Sequence, residues 1–311
     1  MQPSNKNLIL NNKINAFYFE RFKSKSVDIC SVSKMSSKVL NIIYKILKKL
    51  KLKQTRYFYD DWYKNLDKYE KIIILISALQ DDYNIIENIR KKDKNKKIFI
   101  YAWDSVEFIR NFKEILNIAN KNKINIYSFD YDDCKKYSFK FNTIMYDKRL
   151  KLSVVDNKKY DVLFVGMLKE RIKEILNIYR LFEKTNILVN FVVVSKDNRI
   201  KKLPFETTDK YIEYSNYLQM LSDSKAVLDI NNPNQHGLSL RIMEALFLDK
   251  KLITTNKEIL NTKFYNSNNI LYLTPKTTTK ELQEFMNKKF VPYSQEIKDY
   301  YSVESWVERF E

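Results

Sequence analysis

YDVLFVGMLKERIKEILNIYRLFEKTNILVNFVVV (160–194) decides the fold. It opens on a short β-branched apolar run and passes through Gly166. Apolar residues then recur at three- and four-residue spacing over 168–184, and a second β-branched run closes the stretch. Two apolar runs of strand length flanking a helix make a β-α-β unit, and such units build parallel sheets with right-handed crossovers. The pattern continues with strands near 226–230, 251–255 and 270–273 and helices over 214–223, 239–248 and 278–288. A separate series precedes it, with strands near 7–10, 27–32, 71–77, 97–103 and 124–129 and helices over 14–24, 36–53, 81–92 and 105–121. The predicted class is α/β with two Rossmann-like domains. The polar stretch VDNKK (155–159) is the expected boundary, dividing 1–158 from 159–311, with VESWVERF (303–310) a short terminal helix of the second domain.

The 311 residues suit two domains of ordinary size, and 44% apolar residues give each a core. A net charge of +18 predicts an anionic partner. Only 10 of the 56 basic residues are Arg, while Asn, Ile and Tyr abound, as an AT-rich gene would encode. A specific reader of phosphates or bases would favour the bidentate Arg fork, so no nucleic-acid partner is expected. Cys30 and Cys134 stand far apart and imply neither a disulfide framework nor a zinc site. MQPSNKNLILNNKINAF (1–17) lacks a secretion pattern, and the longest apolar stretch, IIILISAL (72–79), is too short to span a bilayer. The chain reads as a soluble protein of a reducing compartment.

Average usage of about 7% would place roughly 22 glycines here, yet the chain has two, Gly166 and Gly237. The survivors are expected where no Cβ is tolerated. In open parallel sheets ligands bind beyond the C-terminal strand ends, and both glycines fall there. Gly166 is followed by a helix with Lys169 and Arg171 in its expected first turn. Cations there oppose the helix dipole, which points to an external anion held by the backbone and both side chains. The alternative is that Gly166 only permits close packing and the basic residues are solvated.

NNPNQHGLSLRIMEALFLDKKLITTN (231–256) carries the second glycine. Ser239 is the expected helix cap. Arg241 and Glu244, three residues apart, share a helix face and make either an ion pair or a phosphate-and-sugar site. In the second case Gly237 and Ser239 present amides to a phosphate, Arg241 neutralises it and Glu244 accepts sugar hydroxyls. His236, the one histidine, either lines that pocket or is structural.

Met243-Glu244-Ala245-Leu246 after the Gly237 turn resembles the donor-binding helix of GT-B glycosyltransferases, and LFVG with Arg171 resembles the phosphate-facing start of their nucleotide domain. YAWDS (101–105) and YSFDYDDCKKYSFKFN (127–142) are similar to motifs of bacterial polysaccharide and lipopolysaccharide glycosyltransferases, including lipopolysaccharide-core rhamnosyltransferases. The likeness covers about 97–260. NPNQH (232–236) lacks the acid such loops carry, and the first strand lacks their glycine turn. The resemblance implies two Rossmann-like domains facing across a cleft. It further implies a donor site of Gly166, Lys169, Arg171, His236, Gly237, Ser239, Arg241 and Glu244, with a nucleotide-sugar as substrate. No cofactor and no metal are implied.

Asp130-Tyr131-Asp132 spells the DxD of the metal-dependent GT-A class, but the expected role of these acids and Asp133 is capping the helix that follows. Asp104, at the end of a strand, is the candidate base for an acceptor hydroxyl, or else the N-cap of helix 105–121. SSKVLNIIYKILKKLKLK (36–53) is amphipathic, and from Ile29 to Tyr59 there are eight basic residues and no acid. Either this basic amphipathic helix lies on anionic lipid, or it is a crossover helix whose apolar stripe (Val39, Leu40, Ile43, Ile46, Leu47 and Leu50) packs in the core with a solvated lysine face. Lys45, Lys48 and Lys49 are expected to face an anionic membrane and acceptor.

These readings give a glycosyltransferase of lipopolysaccharide core assembly, cytoplasmic and peripheral to the inner membrane. Its expected partners are a nucleotide-sugar donor, a lipid-linked anionic saccharide acceptor and the anionic leaflet. The alternative is a non-catalytic basic protein that binds membrane or nucleic acid.

Overall fold

A computed structural model describes residues 6–12, 21–34, 37–50, 52–153, 155–168, 171–197, 203–232 and 236–311. It divides into two compact units, Met1–Thr143 with Val303–Glu311, and Ile144–Ser302. Each holds one parallel six-stranded sheet, so the α/β class and both sheets are as expected.

In the first unit the strands are β1 (Lys6–Asn11), β2 (Val27–Ser31), β3 (Tyr69–Leu75), β4 (Lys97–Ala102), β5 (Ile126–Ser128) and β6 (Lys140–Phe141), ordered β2-β1-β3-β4-β5-β6. Its helices include α1 (Lys38–Lys49), α2 (Ile76–Asp81), α3 (Ile85–Lys92), α4 (Phe112–Lys121) and α5 (Tyr131–Tyr137). Leu8, Ile9, Leu10, Ile72, Ile73 and Ile74 have no exposed surface. Both faces of the central strands are therefore covered, which is why they read as unbroken apolar runs. The expected helix 14–24 lies mostly outside the described residues.

In the second unit β7 (Tyr160–Met167), β8 (Val189–Val194), β9 (Glu206–Thr208), β10 (Ser224–Asp229), β11 (Lys251–Thr254) and β12 (Ile270–Tyr272) run β12-β11-β10-β7-β8-β9. Numbered from β7, this is the 3-2-1-4-5-6 order of dinucleotide-binding sheets, and the order reverses between β7 and β10. Helices α6 (Ile172–Glu183), α7 (Tyr214–Ser222), α8 (Leu240–Phe247), α9 (Thr279–Asn287) and α10 (Gln295–Tyr301) complete it. Ile175, Ile178 and Phe182 are the buried stripe of α6. Helix α9 is stopped at its start by a reciprocal capping box between Thr278 and Glu281.

The division differs from the expected break at 155–159. The last helix, α11 (Val303–Glu308), also belongs to the first unit rather than the second. Its aromatic residues explain this. Trp306 stacks edge-on against Tyr101 of β4 at 4.8 Å, Phe310 lies 4.5 Å from Tyr127 of β5, and Trp306 Nε1 donates to the Thr143 carbonyl at 2.7 Å. Burying two such rings outweighs the cost of returning the chain.

Candidate functional site

The reversal point between β7 and β10 gathers most of the expected donor residues. Arg171 ends its loop as the residue before α6, and its guanidinium donates to the carbonyls of Met167 (3.0 Å) and Ile230. Arg241, on the first turn of α8, donates through Nε and Nη2 to the Val165 carbonyl at 3.0 and 2.8 Å. Its Nη1 meets Asp229 at 3.3 Å. Both guanidiniums lie over the Phe164 ring, 5.9 and 5.8 Å from its centroid.

Gly166 makes room for this pair. A Cβ there would lie 3.0 Å from Arg241 Nη2, 3.0 Å from Phe164 Cζ and 3.2 Å from Arg171 Nη2. Neither glycine has positive φ, whereas Asn111, Lys123, Ser138 and Asp249 do. Glycine is kept here for space, and left-handed turns are given to other residues. Gly166→Ala is expected to cost about 1–2 kcal/mol by overpacking and to displace both arginines. Thermal melts and anion titration check this, and a variant matching the wild type in both would refute it.

Asp229, 1% exposed, was not among the residues the sequence singled out. Its carboxylate accepts from Ser239 Oγ (2.8 Å), Thr254 Oγ1 (2.9 Å) and Arg241. An acid at the end of the apolar strand run AVLDI was the available signal, since a buried carboxylate requires donors. Asp229 is paired with Arg241, and the charges of Asp229 and Glu174 also act on Arg171. Arg171, 6% exposed, has its basicity pushed down to about 10, first by burial and then by Arg241. Its Nε has no hydrogen-bond partner among the described residues. Burial pushes the Glu174 carboxyl up, opposed by a hydrogen bond from Thr255 and by Arg171.

Ser239 caps α8 as expected, accepting from the Ile242 amide. Gly237 is buried, with its carbonyl bonded to Asn256 Nδ2 at 2.9 Å, and His236 beside it is exposed. Lys169 lies outside the described residues. The expected alternative for Arg241, an ion pair with Glu244, gives way to the pair with Asp229. Glu244 is 1% exposed and accepts from the Tyr217 hydroxyl at 2.5 Å. Burial pushes its carboxyl up to about 7, against the hydrogen bond from Tyr217 and the charge of Arg241. Its carboxylate is thus committed to the protein rather than to solvent.

In the first unit Asp104 is exposed in the bend after β4. It is not the cap of a long helix, because 105–121 is broken. A short turn spans Val106–Phe108, and α4 begins at Phe112 behind a left-handed Asn111. Of the neighbouring acids, Asp130 caps the following helix α5 as expected, whereas Asp133 bonds an amide of a different turn. Asp130 Oδ1 accepts from the amides of Asp132 and Asp133, and Asp133 Oδ2 holds the Val106 amide at 2.8 Å. Among the described residues no group of three or more acids, cysteines or histidines is placed to hold a metal ion. A depression of about 390 Å³ opens elsewhere, beside the N-terminal ends of β1 and β3, where Lys6 pairs with Asp28 at 3.1 Å. It lies at the opposite strand ends from those that bind ligands in such sheets.

Helix α1 is not the crossover helix with a buried stripe. Its stripe faces solvent, with Val39 65%, Ile46 52% and Leu50 61% exposed. Lys48 turns inward, over the Tyr44 ring at 4.6 Å and onto Asp81 at 2.5 Å. Tyr44 is the buried residue of the helix because its ring packs on Phe58. Lys48 therefore does not face a membrane, while Lys45 and Lys49 are exposed.

No family model matches the chain, and no curated protein matches it in sequence. Among solved structures it is similar to an alpha-glucosyltransferase in complex with UDP and a 13-mer DNA containing a central A:G mismatch. The TM-score is 0.53 and the identity 12%, over 97% of this chain and 92% of that one. The chain has a glycosyltransferase fold. Two further glycosyltransferases align. The apo lipopolysaccharide outer core galactosyltransferase WaaB does so at TM-score 0.49 and 11% identity, over 98% of each chain. The calicheamicin glycosyltransferase CalG4 does so at 0.37 and 9%, over 94% of this chain and 84% of that one. Within a glycosyltransferase fold, the arginine corner sits at the switch point where such sheets take a ligand. No helix among the described residues is long and apolar enough to cross a membrane.

Proposed function

We propose that the protein transfers a sugar from a nucleotide-sugar donor. One observation carries the reading: two guanidiniums brought together by a glycine at the switch point, Arg241 paired with Asp229. A diphosphate is a further anionic partner for these two guanidiniums, and fixed donors here stabilise the leaving group as negative charge develops. Gly237 and Ser239 present the start of α8 to the same anion, with His236 beside them. The alpha-glucosyltransferase of similar fold is described with UDP, which supports a nucleotide-linked donor. Asp104 takes the proton of the acceptor hydroxyl as that oxygen bonds to the anomeric carbon and the bond to the diphosphate breaks. The acceptor is a lipid-linked anionic saccharide of the lipopolysaccharide core at the cytoplasmic face of the inner membrane. The sugar is rhamnose from dTDP-rhamnose, and no metal takes part. These finer assignments draw on the sequence resemblance.

Calorimetric titration with dTDP, UDP and the bare nucleosides tests the reading. Micromolar binding of a diphosphate and at least tenfold weaker binding of its nucleoside are expected, because each charge-assisted bond contributes about 1.5–3 kcal/mol. A protein that binds neither diphosphate nor its sugar conjugates would be a basic binding module instead.

A further inference from the structure

We infer that helix α1 is a membrane-seating ridge whose apolar side, not its lysine side, enters the lipid surface. The inference deepens the membrane part of the reading above and is independent of its nucleotide part. Ser37 caps the helix by accepting from the Leu40 amide at 3.2 Å, so the helix has a defined start. Tyr44 and Lys48, one turn apart, attach it to the protein through Phe58 and Asp81. At 100° per residue, Val39, Ile42, Ile43, Ile46 and Leu50 then form one band on the far side. They are 65%, 58%, 41%, 52% and 61% exposed. Five large aliphatic side chains in one band on a single helix are not scattered surface residues, and such contiguous patches mark docking surfaces.

Charge identifies the occupant. Lys38, Lys45 and Lys49 are exposed along one flank of the band, and no acid occurs from Ile29 to Tyr59. A second copy meeting this face across a two-fold axis would bring lysines against lysines. A partner protein would need an acidic rim around an apolar groove. An anionic bilayer meets both needs at once: the band settles at the headgroup–acyl boundary while the flanking ammonium groups reach lipid phosphates.

Sedimentation of the full chain with vesicles tests this, using phosphatidylcholine alone or with about one-third phosphatidylglycerol. Wild-type protein is expected to sediment with the anionic vesicles and to remain in solution with the neutral ones. Ile42→Ser with Ile46→Ser should lower partitioning at least tenfold at both low and high salt. Lys38→Gln, Lys45→Gln and Lys49→Gln together should lower it on the order of 100-fold at low salt, about fivefold for each cation. The serine pair lies on an exposed face, so its melting temperature and diphosphate affinity should match the wild type. A failed vesicle result would therefore leave the donor site untouched. The inference is overturned if the serine pair binds vesicles like the wild type. It is also overturned if wild-type protein ignores anionic vesicles, or if it self-associates in ultracentrifugation through this face.

Discussion

Arg241→Gln is expected to lower stability by about 3 kcal/mol and diphosphate affinity roughly 100-fold, and the two losses should be separable. The stability loss arises because Asp229, almost fully buried, loses its cation and a buried charge without a partner is costly. Ser239 and Thr254 still donate to it, which keeps the cost near the lower end of the usual range. The affinity loss arises because the anion loses charge-assisted donors. Adding Asp229→Asn should remove the orphaned charge and return the melt to within about 1 kcal/mol of the wild type, while diphosphate binding stays lost. Asp229→Asn alone takes from Arg241 its carboxylate partner and should enlarge the thermal shift produced by dTDP or UDP, since a ligand that binds only the folded chain stabilises it in proportion to its affinity. A double variant that binds diphosphate like the wild type would remove Arg241 from the donor site.

Glu244→Gln should make the protein more stable at pH 8 than the wild type by about 1–3 kcal/mol and flatten its stability against pH. The carboxyl is held at about 7 in the folded chain against an ordinary 4.5. Below pH 4.5 folded and unfolded chains both carry the proton, and the group exerts no pH effect. Between pH 4.5 and 7 the folded chain keeps a proton that the unfolded chain has released, so stability falls as pH rises. Above about 7 the charge is buried and the full penalty, about 3 kcal/mol, is reached. Gln keeps the shape and can still accept from Tyr217, but it never ionises. Denaturant melts from pH 5 to 8.5 check the slope, and parallel curves for the two proteins would show that Glu244 does not titrate in this range. Nucleoside titration of the same variant decides its functional role. A loss of about tenfold assigns Glu244 to the ribose, and unchanged affinity confines it to the bond with Tyr217.

The parallel sheets were legible because their central strands are apolar on both faces, so 7–10, 71–77 and 160–166 stand out without knowledge of their neighbours. Lys140–Phe141 and Glu206–Thr208 were not, because these short edge strands carry polar residues and no alternation. Gly166 with Arg171 and Gly237 with Ser239 and Arg241 were legible as strand-end clusters. Asp229 was passed over because its partners, at 239, 241 and 254, come from other elements. Helix α1 shows a limit of pattern itself. Amphipathic spacing defines two faces but not which one is turned inward, and the anchor here is an aromatic–lysine pair within the polar half. The destination of 303–310 was equally hidden, since local periodicity identifies a helix but not the sheet it joins.

The last helix has a consequence for how the protein comes into being. Because Val303–Glu311 completes the first unit, everything from 144 to 302 is in effect an insertion within it. During synthesis the first sheet leaves the ribosome before the second, yet the rings of Tyr101 and Tyr127 wait for Trp306 and Phe310 until all of 144–302 has been made. The second unit has all its strands in one uninterrupted span and can close first. Assembly is then expected to run against chain order: the first unit, made before the second, is completed after it, with an aromatic surface open in the interval.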